Sequence, residues 1–276
     1  MLKTKLTKTI LKTTDNYIKW LEKAGILTIW LEHREYLIQN IEVVDIETST
    51  ACNRTCSYCP NTNYNNASII NSSFMSEEIF SKIVTDLGVE NYNWEICLQR
   101  YNEPLMDERI PRLISIASKF APNATIVIYS NGDYLTVPLY KKLIEAWLNK
   151  LTVTEHWKKP SQWLIDTINF RKNNPDQLIF KYKKMDHSWK FYNRWWEIKL
   201  SSNQPQNFFC KTLNCVTINS KGDVVLCCND YHSQHIFWNA GTKNIIDIFL
   251  WEKFQNMRIE AVTGHFSRKI CKLCMY

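Results

Sequence analysis

The chain reads as an α/β protein built on a parallel sheet, and three observations carry that reading. Short β-branched runs alternate with amphipathic segments of helical length from residue 41 to about residue 185. A loop with three cysteines in the spacing C-x3-C-x2-C follows the first of these runs directly. Near residue 200 the alternation gives way to a polar, Pro-containing link, a hairpin signal and more cysteines.

Taken in order, residues 4 to 40 carry apolar positions at helical spacing, interrupted at Gly25, and predict an N-terminal helical extension. "IEVVDIET" (41–48) predicts the first strand, ending just before the cysteine loop. "MSEEIFSKIVTDLG" predicts a helix with Ser76 as N-cap and Gly88 as its stop. "WEICLQR" then predicts a strand, and "DERIPRLISIASKFA" a helix whose Pro111 fits the first turn. "ATIVIYS", "LTVTEHW" and "QLIFKYKKM" predict three further strands, with "VPLYKKLIEAWLNK" and "PSQWLIDTINFRKN" as the helices between them. Crossovers of this length imply parallel strands, in an open sheet or a barrel, with chemistry where strands end and loops begin. After "SSNQPQNFF", the segment "VTINSKGDVVLCC" predicts a hairpin turning at Lys221-Gly222-Asp223. "NIIDIFLWEKFQNMRIEAV" predicts one amphipathic helix, and "CKLC" closes the sequence two residues before its end.

At 276 residues the chain can bury a substantial core, and 45% hydrophobic against 22% charged residues excludes a disordered chain. The net charge of +7 is spread along the sequence and reads as a solvated basic surface, so no nucleic-acid partner is expected. No run of 18 apolar residues is present, and "MLKTKLTKTILKTTDNYIKW" lacks the apolar core and cleavage site of a signal peptide. A cytoplasmic protein without membrane association is expected. Ten cysteines in a reducing compartment argue for metal rather than disulfides, and they are clustered: Cys52, Cys56 and Cys59; Cys210, Cys215, Cys227 and Cys228; Cys271 and Cys274. Cys97 stands alone.

A four-iron cluster is held by cysteine thiolates and normally uses four. Three would leave one iron open, and an open position is what lets a metal centre engage a substrate or cofactor. A zinc site borrowing a histidine would have to reach His156, about a hundred residues downstream, against spacings of up to about 20 residues in zinc fingers. The loop "CNRTCSYC", with Tyr58 before its last cysteine, resembles the signature of the radical S-adenosylmethionine (SAM) superfamily. That resemblance implies a partial (β/α)6 TIM-like barrel over residues 41–200, between an extension at 1–40 and a small C-terminal hairpin-plus-helix domain at 201–276. It implies a [4Fe-4S] cluster on Cys52, Cys56 and Cys59 whose open iron is chelated by SAM, and cleavage of SAM to a 5′-deoxyadenosyl radical. Tyr101-Asn102-Glu103-Pro104 is similar to the family's Gly-Glu-Pro segment, with Glu103 facing the SAM amino group and Asn102 in place of the usual glycine. Ser130 and Asn131 resemble the ribose-contacting segment, and Tyr58 the position near adenine.

Cys210 is followed by eleven residues, Gly222, four residues, Cys227 and, after 43 more, Cys271 and Cys274 as C-x2-C. This resembles the auxiliary-cluster region called SPASM or, when shortened, twitch, as in short dehydrogenases of aminocyclitols. The resemblance implies a second [4Fe-4S] cluster on Cys210, Cys227, Cys271 and Cys274; Cys215 or Cys228 is an alternative ligand. The competing reading of the four cysteines alone is a structural zinc site, which uses the same donors.

Together these motifs predict a radical SAM oxidoreductase or maturase, served by an external flavodoxin- or ferredoxin-type electron donor. Two-electron oxidation or cross-linking of a ribosomally made peptide is the first expectation, on family frequency. A dehydrogenase of an aminocyclitol or sugar-like molecule is the alternative, and so is a redox-neutral epimerase with a cysteine such as Cys97 as hydrogen donor; a non-catalytic zinc module ranks last. Glu47, Arg100, Glu155 and His156 are unranked candidates for the base. "HSWKFYNRWWEIKL" (187–200) could line a peptide groove or pack between domains.

Overall fold

The computed structural model describes residues 38–64, 72–156, 159–185, 210 and 214–275. The expected helices at 4–40 lie almost wholly outside the described residues, and the aromatic run 187–200 and the link 201–209 lie wholly outside them.

One sheet organises the molecule. Its strands are β1 (Val43–Ile46), β2 (Glu95–Cys97), β3 (Thr125–Ser130), β4 (Lys150–Glu155), β5 (Ile179–Lys184), β6 (Cys215–Ile218), β7 (Asp223–Val225) and β8 (Ile236–Asn239). The order is β5-β4-β3-β2-β1-β6-β7-β8. The first five strands are all parallel, joined by helical crossovers: α1 (Glu77–Val89), α2 (Ile110–Phe120), α3 (Val137–Glu145) and α4 (Gln162–Asn173). β6 then pairs in parallel with β1, so the sixth parallel position is filled from the C-terminal segment. The predicted hairpin therefore continues the barrel sheet, with β7 and β8 added antiparallel at its edge. The sheet does not close, which is the geometry of a partial barrel.

Residues on alternate sides of each strand have opposite character. Val44, Ile46, Ile96, Ile128, Leu151 and Ile218 are at most 1% exposed and form the apolar face. The registered row on the other face runs Thr217, Asp45, Cys97, Val127, Lys150, and beyond it Tyr129 stands beside Thr152. The inside of the partial barrel is thus lined with polar groups, whereas the outside is packed with aliphatic ones.

Local chemistry sets most boundaries as expected. Ser76 caps α1, its Oγ accepting from Ile79 N at 3.3 Å, and Glu77 and Glu78 complement the positive end of the helix. Gly88 does not stop that helix, which runs to Val89; a Cβ there would sit 1.7 Å from the Phe120 carbonyl oxygen, so the glycine permits close packing on α2. The C-terminal helix expected as one is broken into α5 (Ile245–Leu250) and α6 (Glu252–Thr263). Trp251 between them is extended (φ −62°, ψ 137°), its ring edge-on to Trp238 of β8 at 5.7 Å, so packing against the hairpin overrides the helical pattern. α7 (Lys269–Met275) carries Cys271 and Cys274.

Candidate active site

The C-terminal ends of β1 to β4 open on a cavity of about 270 Å³. Its walls include Cys52, Cys56 and Cys59 from the loop after β1, Glu103 from the loop after β2, and Ser130 and Asn131 from the end of β3. The structure therefore brings together the residues singled out for the first cluster and for SAM, with Tyr58 and Asn102 beside them. The motif segments are far apart in sequence; parallel strand order makes them neighbours.

Glu103 is 3% exposed and fully engaged. Its Oε1 accepts from Ser130 Oγ at 2.6 Å and Leu105 N at 3.1 Å, and its Oε2 from Asn131 N at 2.7 Å. Burial raises its pKa to about 6, against these hydrogen bonds, which pull it down. Asn102 stands where the family has glycine and is not among the described residues with positive φ, so the position does not require glycine. Its Oδ1 accepts from Arg100 N at 3.0 Å. Gly132 does require its identity: φ is +76° and a Cβ would meet Val153 Cγ1 at 2.7 Å.

A polar lattice that the sequence reading missed holds the cysteine loop. Arg54 grips Asp133 with two bonds of 2.7 Å, from Nε and Nη2, and Asn53 donates to the same carboxylate at 2.8 Å. Asn131 Nδ2 donates to Asn53 Oδ1 at 2.8 Å. The signal was present in the sequence, a basic residue inside the cysteine loop and an acidic one just after Ser-Asn-Gly, but only the fold shows that they meet. Tyr58 shares a hydrogen bond with His156 Nδ1, the two rings stacked at 5.9 Å. Burial, assisted by Arg54, lowers the His156 pKa to about 4, so the imidazole is neutral near pH 7.

The donor set fits an iron-sulfur cluster. The three thiols border one cavity, and cysteine thiolates are the donors that hold such clusters. Burial pushes the Cys52 thiol up to about 12, so its thiolate needs the positive charge of a bound metal centre.

The second cysteine group assembles from three segments. Cys210 precedes β6, Cys227 follows β7, and Cys271 and Cys274 lie on α7; Cys210 and Cys274 both act electrostatically on Cys227 and on Cys271. Asn229 Nδ2 donates to Cys274 Sγ at 3.2 Å. Cys215 sits at the start of β6 within the influence of Asp45, Cys228 and Cys210. The loop after Cys227 is fastened to the cavity wall: Tyr101 donates to the Cys228 carbonyl, Arg100 to the Asp230 carbonyl, and Tyr231 to Asn61 Oδ1 at 2.9 Å. Both cysteine regions therefore share one polar seam.

Of the remaining candidates, Cys97 is 4% exposed, donates its thiol to Asp45 and is not among the residues lining the cavity. Glu155 accepts from Tyr182 and lies 3.9 Å from Lys184. Glu47, buried, accepts from Ser220 N at 3.2 Å and faces Arg100 Nη1 at 3.6 Å. Arg100 and His156 line the cavity. No helix among the described residues is long and apolar enough to cross a membrane.

Comparison with known proteins agrees with this geometry. The pattern of the radical SAM superfamily matches residues 46–154, and that of the SPASM iron-sulfur cluster-binding domain matches residues 210–275. An S-adenosyl-L-methionine-dependent 2-deoxy-scyllo-inosamine dehydrogenase of Niallia circulans is 25% identical over 244 residues, 84% of this chain and 92% of that enzyme. The crystal structure of BtrN in complex with AdoMet and 2-DOIA superposes with a TM-score of 0.72 at 24% identity, over 85% of this chain and 92% of that one. Native anSMEcpe with bound AdoMet and Cp18Cys peptide is more distant, with a TM-score of 0.54 at 12% identity, over 84% and 87% of the two chains. The chain is an enzyme that uses SAM with a four-iron cluster and carries an auxiliary iron-sulfur cluster, and it belongs to the radical SAM superfamily with a C-terminal SPASM-type region.

Proposed function

We propose that the enzyme oxidises a secondary alcohol of a small aminocyclitol-like molecule to a ketone. The observation that carries this reading is the similarity to a 2-deoxy-scyllo-inosamine dehydrogenase along 92% of that enzyme's length. The cavity that the three cysteines border, where the cluster and SAM would sit, is also walled by Gln99, Arg100, Thr154 and His156, whose polar side chains suit a hydroxylated molecule beside SAM. The peptide ranked first on sequence gives way to the aminocyclitol alternative, because the relative matched over most of its length is named for a small molecule.

In this reading Cys52, Cys56 and Cys59 hold the first cluster, and Cys210, Cys227, Cys271 and Cys274 the auxiliary one. When bound, the first cluster supplies the electron that cleaves SAM to the 5′-deoxyadenosyl radical, and the auxiliary cluster takes the electron that leaves the substrate. The protein's own residues do the rest. Glu103 would meet the SAM ammonium with the lone pair that Asn131 N leaves on Oε2; Ser130 and Asn131, the residues expected beside the ribose, hold that carboxylate in place, and the Arg54–Asp133 pair fixes the cysteine loop next to them. Oxidation also requires a place for the hydroxyl proton. His156 suits this role: it lines the cavity as a neutral imidazole, and the tautomer in which Nδ1–H donates to the Tyr58 oxygen presents Nε2 as an acceptor. A low-potential flavodoxin- or ferredoxin-type donor and a reducing, cytoplasmic setting complete the proposal.

The test is anaerobic incubation of reconstituted protein with SAM, dithionite and 2-deoxy-scyllo-inosamine, following 5′-deoxyadenosine and the keto product. The proposal expects both to form together. Turnover that depends on an added peptide and ignores the cyclitol would overturn it.

A further inference from the structure

Within the cavity wall, Gln99 and Arg100 stand apart from the cysteines, Glu103, Ser130 and Asn131, because each keeps a buried polar atom without a partner in the protein. Gln99 and Arg100 follow β2, which ends at Cys97, and both border the cavity although they are consecutive. Beyond the strand end, alternation no longer sends neighbouring side chains to opposite faces. The Arg100 side chain is only 3% exposed and is held rigidly: Nη2 donates to the Asp230 carbonyl, Nη1 lies 3.6 Å from Glu47 Oε2, and the guanidinium sits over the Tyr101 ring at 5.2 Å. Two atoms of this pair remain unmatched. Gln99 Oε1 and Arg100 Nε are both buried and have no hydrogen-bond partner in the protein.

Buried polar atoms are nearly always paired, so an unpaired donor and an unpaired acceptor on adjacent residues of a cavity wall point to a ligand. One is an acceptor and the other a donor, which restricts the ligand. A carboxylate or phosphate would suit Arg100 but set lone pairs against the Gln99 carbonyl, and an apolar side chain would satisfy neither. A hydroxyl group gives a proton to one and a lone pair to the other. We infer that Gln99 and Arg100 are specificity-determining residues that bind a hydroxyl of the substrate, selecting a hydroxylated ring over an apolar one. The inference rests on the small-molecule reading above and names the residues that enforce it.

The test is equilibrium binding, without reductant and so without turnover, of 2-deoxy-scyllo-inosamine and of cyclohexylamine to the anaerobically reconstituted, SAM-loaded protein. Gln99→Leu should weaken binding of the inosamine by about tenfold or more, leave cyclohexylamine binding unchanged, and keep SAM affinity within about twofold. Arg100→Met should act in the same direction; because it also releases the Asp230 carbonyl, Gln99→Leu with its SAM control is the deciding variant. Equal binding of the inosamine by wild type and Gln99→Leu would overturn the pair's role while leaving the proposed function standing. If the wild type binds neither the inosamine nor a simple polyol such as scyllo-inositol, the substrate class itself fails, and this inference with it.

Discussion

The two cysteine regions present the same kind of donor in contrasting settings. Around the first, polar side chains fasten the loop before any iron is considered: Arg54 to Asp133, Asn53 to Asn131, and Glu103 to Ser130 and Asn131. Around the second, the thiols come from three separate segments, and Cys274 lies on an exposed part of a seven-residue helix. The first site is therefore preorganised by the protein and open on a cavity. If the four thiols hold the auxiliary cluster as proposed, that cluster would tie Cys210, the hairpin and α7 together, as metal binding often supplies folding free energy. In the proposed assignment the chemistry sits at the site that polar side chains preorganise, and electron storage at the site gathered from three segments.

This contrast can be broken from either side. Replacing Cys52, Cys56 and Cys59 by alanine should abolish SAM cleavage and remove about half of the iron, measured by iron and sulfide analysis, while the remaining cluster keeps its EPR signal. Cys271→Ser with Cys274→Ser should also lose about half of the iron, yet hold SAM with affinity within about twofold, and limited proteolysis should cut near α7 faster.

Glu103→Gln should weaken SAM binding by roughly ten- to a hundredfold, because a hydrogen bond to a charged partner contributes about 1.5–3 kcal/mol. Since the Glu103 pKa is raised to about 6, SAM affinity of the wild type should fall as pH drops below that value. Its effect on stability runs the other way. With a folded-state pKa above the usual 4.5, the native protein holds this proton more tightly than the unfolded chain, so stability declines as pH rises from 4.5 to about 6. Thermal melting of Glu103→Gln, compared with wild type, should show that slope flattened. The smallest effect is expected at Gly222, which turns the hairpin at φ +86° with Ile79 Cγ2 only 2.8 Å from any added Cβ. Gly222→Ala should destabilise by about 1–2 kcal/mol and lower auxiliary-cluster content more than SAM affinity.

The same contrast bears on what the sequence made legible. Strand and helix alternation, the Ser76 cap and both cysteine groups are local signals, and the structure bears out the alternating strands and helices and the cap among the described residues. The polar barrel interior is not local: whether Asp45 or Val44 faces inward depends on which side the helices pack. The Arg54–Asp133 clamp joins residues 79 apart, and the Gln99–Arg100 pair acquires meaning only from the atoms left unpaired around it. Trp251 breaks a periodic helix through a partner on another strand, and Gly88 sits inside a helix for the sake of Phe120. Each of these is a tertiary contact that no window of sequence contains.

The most direct test of the central claim, that the preorganised open site delivers a radical to a small hydroxylated ring, is deuterium transfer. 2-Deoxy-scyllo-inosamine deuterated on its carbinol carbons would be incubated with SAM and dithionite, and the 5′-deoxyadenosine analysed by mass spectrometry. The account predicts one deuterium in 5′-deoxyadenosine for each ketone formed. Unlabelled 5′-deoxyadenosine with no ketone from the cyclitol would contradict it.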